Sequence, residues 1–144
     1  MKINNFTLFT VLFLLFIFKD INAQSFELSS PNQKINIIIN TVNHLSITVF
    51  FEEKKIIEKT PISIKLSDGR NFGLFPKLKN SKTKKVNDIS NITIPNKDKY
   101  VNDTYNELIL KFNGNFQVIF RAYDEGIAYR FIDQDEKPKK IINE

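Results

Sequence analysis

The chain has 144 residues, a formal net charge of +5, one His and neither Cys nor Trp. This length accommodates one domain at most. The absence of Cys excludes disulfides, a Cys-based metal site and a thiol nucleophile, so the core must be stable without covalent cross-links.

The N-terminal segment has the pattern of a secretory signal peptide. Lys2 gives a positive start, residues 6–18 ("FTLFTVLFLLFIF") are apolar apart from threonines, and Ala23 is a small residue suited to cleavage. The alternative is a membrane anchor, but a bilayer-spanning helix needs roughly 20 apolar residues. No Cys follows the segment for attachment of a lipid. We therefore predict a helical signal peptide at 1–23, no stable membrane anchor, and an exported domain at 24–144.

The next runs alternate between apolar and polar residues, as strands with one buried face do. Their predicted inward-facing residues are Ile35, Ile37 and Ile39, then Leu45, Ile47, Val49 and Phe51, then Ile62, Ile64 and Leu66. Turns are predicted at 43–44, at 52–55 and at 67–70, the last because Gly69 in "SDGR" can take a positive φ. No run has the spacing of a long amphipathic helix.

The segment at 77–99 has the least ordered composition. It contains a possible edge strand, "ISNITI", closed by Pro95. It also contains a cluster of lysines, namely Lys77, Lys79, Lys82, Lys84 and Lys85. Aromatic residues are not interleaved with these lysines, as they are on surfaces that bind single-stranded nucleic acid. We therefore predict a solvated loop and no nucleic-acid partner.

The stretch "NELILKFNGNFQVIFRAYDEGIAYRF" (106–131) predicts a three-stranded antiparallel meander. Asn113-Gly114 is a strong hairpin signal, because it favours turns that match the strand twist. "DEG" at 124–126 fits a type I turn with Gly126 in the left-handed conformation. Regular short strands with such turns predict an all-β fold, an antiparallel β-sandwich.

Two arginines stand inside apolar runs of this meander. Pairing across the 124–126 turn predicts Arg121 opposite Tyr129 and Arg130 opposite Phe120, on opposite faces of a hairpin that is covered on both sides. An arginine in such a place usually packs its stem and pairs its guanidinium with a carboxylate. Glu107 on the neighbouring strand is the candidate partner. The alternative is a role at a domain interface or in ligand binding.

Catalytic constellations are scarce. His44 is the only histidine and falls in a predicted turn, where a Ser-His-Asp arrangement would have to use it. The acidic residues considered are Glu52, Glu53, Glu107, Asp124, Glu125, Asp133, Asp135 and Glu136. Adjacent acids in turns are normally solvated, and no pair has the placement that a glycosidase needs across a sugar. The sequence therefore predicts no catalytic residue and no metal ligand, and it leaves any carbohydrate-binding residues unknown.

The order of these motifs resembles the N-terminal domain of glycoside hydrolase family 97. "YNELILKF" followed by "FQVIFRAYDEGIAYRF" is similar to that family's hairpin and is the most specific part. "FELSSPNQKINIII" and "LSITVFFEEKKIIEKTPISIKLSDGRNFG" resemble its preceding segments in the same order. The resemblance extends over nearly all of 24–144, with 76–100 the loosest part.

The resemblance implies a galactose-mutarotase-like super-sandwich, incomplete here, from an exported α-glucosidase or α-galactosidase of bacteria, periplasmic or secreted. In that family a (β/α)₈ barrel carries the catalytic carboxylates and most ligands of a calcium ion. Because no catalytic or calcium position matches here, we expect a fragment without cofactor that is inactive alone. Its expected partners are the barrel and, through the complete enzyme, an α-glucoside or α-galactoside. The alternative is a stand-alone secreted carbohydrate-binding or structural β-sandwich.

Overall fold

The computed structural model describes residues 24–91 and 100–144, with side chains for 24–88 and 103–144. The predicted signal peptide at 1–23 lies outside the described residues. Every regular element within them is a β-strand, which confirms the all-β prediction. The strands are β1 (Ser25–Ser29), β2 (Ile35–Asn40), β3 (Ser46–Phe51), β4 (Lys54–Pro61), β5 (Ile64–Leu66), β6 (Asn71–Phe72), β7 (Leu78–Asn91), β8 (Tyr100–Phe112), β9 (Phe116–Ala122), β10 (Ile127–Asp133) and β11 (Ile141–Asn143).

These strands form antiparallel sheets. The first sheet has the order β1-β2-β3-β4, the second has the order β10-β9-β8-β7, and a small third sheet has the order β11-β5-β6. The first sheet packs on the second through β1 and β2, which contact β8 and β9. Consecutive strands are neighbours in the two larger sheets, as antiparallel pairing permits.

The core lies between the two larger sheets. The alternation read from the sequence determines which residues enter it, because successive side chains of a strand point to opposite faces. The first sheet contributes Leu28, Ile35, Ile37, Ile39, Ile47 and Val49, and the second contributes Leu108, Leu110, Phe112, Phe116, Val118, Phe120 and Ala122. Phe51 departs from the prediction because it stands at the end of β3 and is exposed.

Most predicted turns are present. Asn43 and Gly69 have positive φ, and so do Gly114 and Asn115 in the turn between β8 and β9. Glu52 and Glu53 form a two-residue hairpin turn with φ of 46° and 67° between the paired residues Phe51 and Lys54. Positive φ at both positions is the geometry that matches strand twist, although Asn and Gly are the usual residues there.

The prediction of a loop at 77–99 is wrong for its first part. β7 is a 14-residue strand paired along its length with β8. This strand is difficult to predict from the sequence because exposed lysines stand where apolar residues would alternate. Backbone hydrogen bonds to β8 form the strand instead. β7 lies at the edge of its sheet, in agreement with the edge strand predicted in this segment. Charged residues on an edge strand discourage pairing with another chain. Residues 92–99, including Pro95, lie outside the described residues.

The prediction for the 124–126 turn is also wrong in detail. Ala122 pairs with Ile127, so the connection is 123–126, closed by a 2.8 Å hydrogen bond from the Tyr123 N–H to the Gly126 carbonyl. Gly126 does not have a positive φ. This connection is one residue longer than predicted, so the pairing of β9 with β10 is shifted by one residue relative to the prediction.

The shifted register changes the position of the arginines. Arg121 stands opposite Ala128, and Arg130 stands opposite Ile119. Because Ile119 and Arg121 are two residues apart on β9, both arginines lie on the same face of the hairpin. That face is the outer one, away from the core, and Ala128 and Arg130 are exposed there. The prediction that the arginines lie on opposite faces, with both faces covered, is therefore wrong.

Gly73 provides a first test of the fold. A Cβ at this position would lie 2.3 Å from the backbone oxygen of Ile62, and the φ of 102° is strained for other residues. Gly73→Ala is expected to lower the free energy of unfolding by about 2 kcal/mol or more. Gly126→Ala is the matched control, because nothing lies within 4 Å of its Cβ position. Urea denaturation of both variants checks this, and equal midpoints would contradict it.

Candidate functional site

A polar cluster on the outer face of the second sheet is centred on Arg121. The pairing of β8 with β9 places Glu107 directly opposite Arg121. The Arg121 Nε donates a 2.8 Å hydrogen bond to the Glu107 Oε2. The Glu107 side chain is 8% exposed and that of Arg121 is 30% exposed. This ion pair confirms Glu107 as the partner expected from the sequence.

Two tyrosines complete the Arg121 cluster. The Arg121 guanidinium lies 4.3 Å from the centroid of the Tyr105 ring, a cation–π distance. Its Nη1 donates to the Tyr123 hydroxyl at 3.5 Å, and the tyrosine rings are 5.0 Å apart. The hydrogen bonds to Tyr123 and Glu107 raise the pKa of Arg121, and burial raises the pKa of Tyr105. The cluster therefore holds a permanent cation and a neutral phenol.

A shallow cavity of about 110 Å³ adjoins the Arg121 cluster and is lined by Ile119, Arg121, Tyr123, Ala128, Tyr129 and Arg130. Arg130 is exposed and has no ion-pair partner within the described residues. The Arg121 guanidinium is already bound to Glu107 and in contact with the two tyrosines. The cluster accordingly has the chemistry of a structural ion pair, without an arranged nucleophile and base.

A second cluster joins parts of the chain that are distant in sequence. Arg70 is the last residue of the 67–70 turn and binds both carboxylate oxygens of Asp133, at 3.2 and 2.6 Å. It also pairs with Asp68 at 2.9 Å and with Asp135 at 3.1 Å. Lys139 pairs with Asp133 at 3.2 Å and with Asp135 at 2.9 Å. We call these residues the Arg70 network.

The carboxylates of the Arg70 network all have lowered pKa values. The pKa of Asp68 falls mainly through a hydrogen bond from the Arg70 backbone N–H, and that of Asp135 mainly through one from Lys139. Burial acts to raise the pKa of Asp133, but hydrogen bonds from Arg70, the Asp135 backbone and Lys139 outweigh it. The network thus ties the β5–β6 hairpin to the end of β10.

These shifts predict acid sensitivity. A carboxylate whose pKa is lower in the folded state stabilises the fold above its unfolded pKa, and this stability is lost as pH falls. The Arg70 network is therefore expected to contribute at pH 7 and to lose its contribution from about pH 5 downward. Arg70→Gln should lower the urea midpoint at pH 7 and have a much smaller effect at pH 3.

The control for this prediction is Lys55→Gln. Lys55 lies 3.8 Å from Glu58 in an exposed pair, which is expected to contribute almost nothing at either pH. If Arg70→Gln lowered the midpoint equally at both pH values, the carboxylates of the network would not be the cause.

In the described part of the chain, the other residues singled out from the sequence form no hydrogen bond or ion pair with either cluster. His44 is exposed in its turn, with its ring centroid 5.9 Å from that of Phe75. Glu52 pairs with Lys34 at 2.8 Å, and Asp124 accepts a 2.8 Å hydrogen bond from the Asn32 backbone N–H. The remaining exposed acids are Glu53, Glu125 and Glu136.

The Arg70 network was missed by the sequence reasoning. Asp133 and Asp135 were recognised only as acids, and Arg70 was read only as a turn residue. Arg70 and Asp133 are 63 positions apart, and no local pattern predicts their meeting. Among residues 24–91 and 100–144, no three His, Asp or Glu side chains are grouped to hold a metal ion. No helix in the described part of the chain could span a membrane.

The fold and its clusters define an antiparallel β-sandwich domain with an apolar core and ion-pair clusters outside it. The family model described as "Glycosyl-hydrolase 97 N-terminal" matches residues 28–144. The chain belongs to this family of N-terminal domains of glycoside hydrolase family 97 enzymes, which confirms the resemblance read from the sequence.

Known relatives are much longer than this chain. A retaining alpha-galactosidase of Bacteroides thetaiotaomicron is 32% identical over 124 residues, which are 84% of this chain and 18% of that protein. A solved family 97 enzyme from Pseudoalteromonas sp. strain K8, in complex with acarbose, has a TM-score of 0.66 at 22% identity over 74% of this chain and 17% of that chain. A beta-arabinopyranosidase has a TM-score of 0.64 at 21% identity over 75% of this chain and 18% of its own.

Proposed function

We propose that the chain is the non-catalytic N-terminal β-sandwich portion of an exported bacterial α-glycoside hydrolase of family 97. It carries part of a galactose-mutarotase-like sandwich, packs against a catalytic barrel and does not hydrolyse glycosides on its own. The carbohydrate substrate, an α-glucoside or α-galactoside, binds to the complete enzyme. The observation that carries this proposal is the family match over 28–144, combined with a span of only 18% of the α-galactosidase relative.

The two clusters support a non-catalytic role. The acids grouped in the Arg70 network are neutralised by Arg70 and Lys139. Glu107 is bound to Arg121. Carboxylates held in this way are poorly placed to act as a general acid or to bind calcium, so neither cluster fits the calcium site that the family implies.

An activity assay tests the non-catalytic role. The purified chain is expected to show no turnover of aryl α-galactosides or aryl α-glucosides, with or without added calcium. Turnover that is abolished by replacing one of its own carboxylates would overturn the proposal.

A chimaera tests the domain assignment. Residues 24–144 would replace the matched segment of the Bacteroides α-galactosidase, which is 18% of that protein. The chimaera is expected to retain α-galactosidase activity, whereas the relative without that segment is expected to lose it. A folded chimaera with no activity would argue against packing of this domain on a barrel.

A second candidate is a stand-alone carbohydrate-binding role, favoured by Phe75. This residue is 67% exposed. Its ring stands beside His44, and it borders a cavity of about 300 Å³ that also includes Arg70 and Asn113. Exposed aromatic rings can stack on sugars. Calorimetry with maltose-type and galactose-type oligosaccharides tests this candidate, which requires measurable heat at millimolar ligand and its loss in Phe75→Ala.

A further inference from the structure

Phe75 is a large apolar residue held in a strained backbone conformation at the surface. It stands between β6 and β7, is 67% exposed and has a φ of 44°. A positive φ is unfavourable for a bulky residue and persists only where the surrounding structure imposes it. The fold therefore holds Phe75 in this conformation although the residue stays largely outside the core.

Backbone hydrogen bonds to a neighbouring loop impose the conformation of Phe75. Its N–H donates to the Asn43 carbonyl at 2.6 Å. The adjacent residues His44 and Leu74 form an antiparallel bridge. The segment that carries Phe75 is thus tied to the loop that precedes β3, on the body of the first sheet.

Apolar neighbours extend the exposed surface around Phe75. Val42 is 44% exposed and Leu74 is 38% exposed. The His44 ring centroid lies 5.9 Å from that of Phe75. We call Val42, His44, Leu74 and Phe75 the Phe75 patch. Exposed apolar surface of this kind marks sites of contact, and a rigid aromatic side chain is a common anchor of such contacts.

The chain leaves the structure beside the Phe75 patch. In the third sheet β6 and β11 both pair antiparallel with β5, so they run in the same direction. At one end of this sheet β6 leads into residue 73 and β11 leads into residue 144. Because two strand spacings separate β6 from β11, residues 73 and 144 leave the sheet about 10 Å apart. A few extended residues after 144 would therefore reach Phe75.

The relatives of the chain have a long polypeptide in this position. The matched segment is 18% of the alpha-galactosidase and 17% of the solved family 97 enzyme. The family model that matches describes an N-terminal domain. In the proposed complete enzyme the chain therefore continues past residue 144 from a point close to the Phe75 patch.

We propose that the Phe75 patch is the surface on which the polypeptide that follows residue 144 in the complete enzyme docks, with Phe75 as the anchor. The occupant is an apolar segment, because the side chains that the patch presents are apolar or aromatic. Burial of Phe75 against this segment offsets the strain of its positive φ. The inference rests on the proposed function, in which the chain is the N-terminal portion of a longer enzyme.

Thiol labelling measures whether the Phe75 patch is covered. The chain has no Cys, so Leu74→Cys introduces a single thiol beside Phe75. The variant is prepared as the purified chain and in the chimaera with the Bacteroides α-galactosidase, and peptide mass spectrometry follows alkylation by iodoacetamide at position 74. The rate is expected to be about tenfold or more lower in the chimaera, because a covered thiol is shielded from the reagent.

Ile57→Cys is the matched control. Ile57 is 36% exposed, close to the 38% of Leu74, and lies on β4, a lysine-bearing edge of the first sheet. Its labelling rate is expected to be equal in the purified chain and in the chimaera. Adding Phe75→Asp to Leu74→Cys in the chimaera should restore rapid labelling at position 74, because a carboxylate at the anchor position opposes burial.

The outcomes separate this proposal from the proposed function. Equal labelling at position 74 in the purified chain and in an active chimaera would overturn the docking surface and leave the proposed function in place. An inactive chimaera counts against the proposed function, and the docking surface falls with it. Protection of the purified chain by maltose-type oligosaccharides would assign the patch to a sugar, and protection that rises with chain concentration would assign it to a second copy. Either result would also overturn the proposal.

Discussion

Phe120→Ala is expected to lower the free energy of unfolding by about 3–5 kcal/mol. Phe120 is 1% exposed and lies in the middle of the core between the two larger sheets. Its removal takes away buried apolar surface and leaves a cavity, since close-packed neighbours relax only in part. Urea denaturation followed by circular dichroism measures the loss.

Phe75→Ala is the control for this experiment, because it makes the same chemical change at a residue that is 67% exposed. Its expected effect is within about 0.5 kcal/mol. Similar losses at the two positions would mean that the sandwich does not form around Phe120.

Arg121→Met is expected to lower the free energy of unfolding by about 3 kcal/mol. The methionine keeps most of the apolar stem, but Glu107 remains as a nearly buried carboxylate without its cation. An unpaired buried charge is far less favourable than either the pair or its apolar replacement. The cation–π contact with Tyr105 is lost as well.

A double-mutant cycle separates the ion pair from packing. Glu107→Gln removes the buried charge, so Arg121→Met should cost clearly less in that background. The coupling between the two substitutions is expected to be about 1–3 kcal/mol. Additive effects would show that Arg121 stabilises the fold through its stem and tyrosine contacts alone.

Much of this fold could be predicted from alternation and turn chemistry. Ile35, Ile37 and Ile39 are buried as predicted, because the period of a strand fixes which side chains share a face. Gly69 and Gly114 adopt positive φ as their turns require. The pairing of Glu107 with Arg121 could be predicted because both residues belong to neighbouring strands of one meander.

The failures have physical causes. β7 has no apolar alternation, and its hydrogen-bonding partner β8 specifies it instead. The length of the 123–126 connection determines on which face of the sheet Arg121 and Arg130 lie. A change of one residue in this connection shifts the register of β9 with β10 by one. The Arg70 network depends on tertiary approach of the β5–β6 hairpin to the end of β10. Local sequence carries no information about that approach.

The length of β7 and β8 has a consequence for local stability. Tyr105, opposite Val86, is the last buried residue among the side chains that the structure describes, 103–112, as β8 is followed from the core towards Tyr100. The pairing nevertheless continues to Asn91 opposite Tyr100, as a ribbon of two strands. Such ribbons are marginally stable without packing. Amide hydrogen exchange should therefore accelerate steadily from Leu108 towards Tyr100, so that the ribbon opens many times for each unfolding of the sandwich.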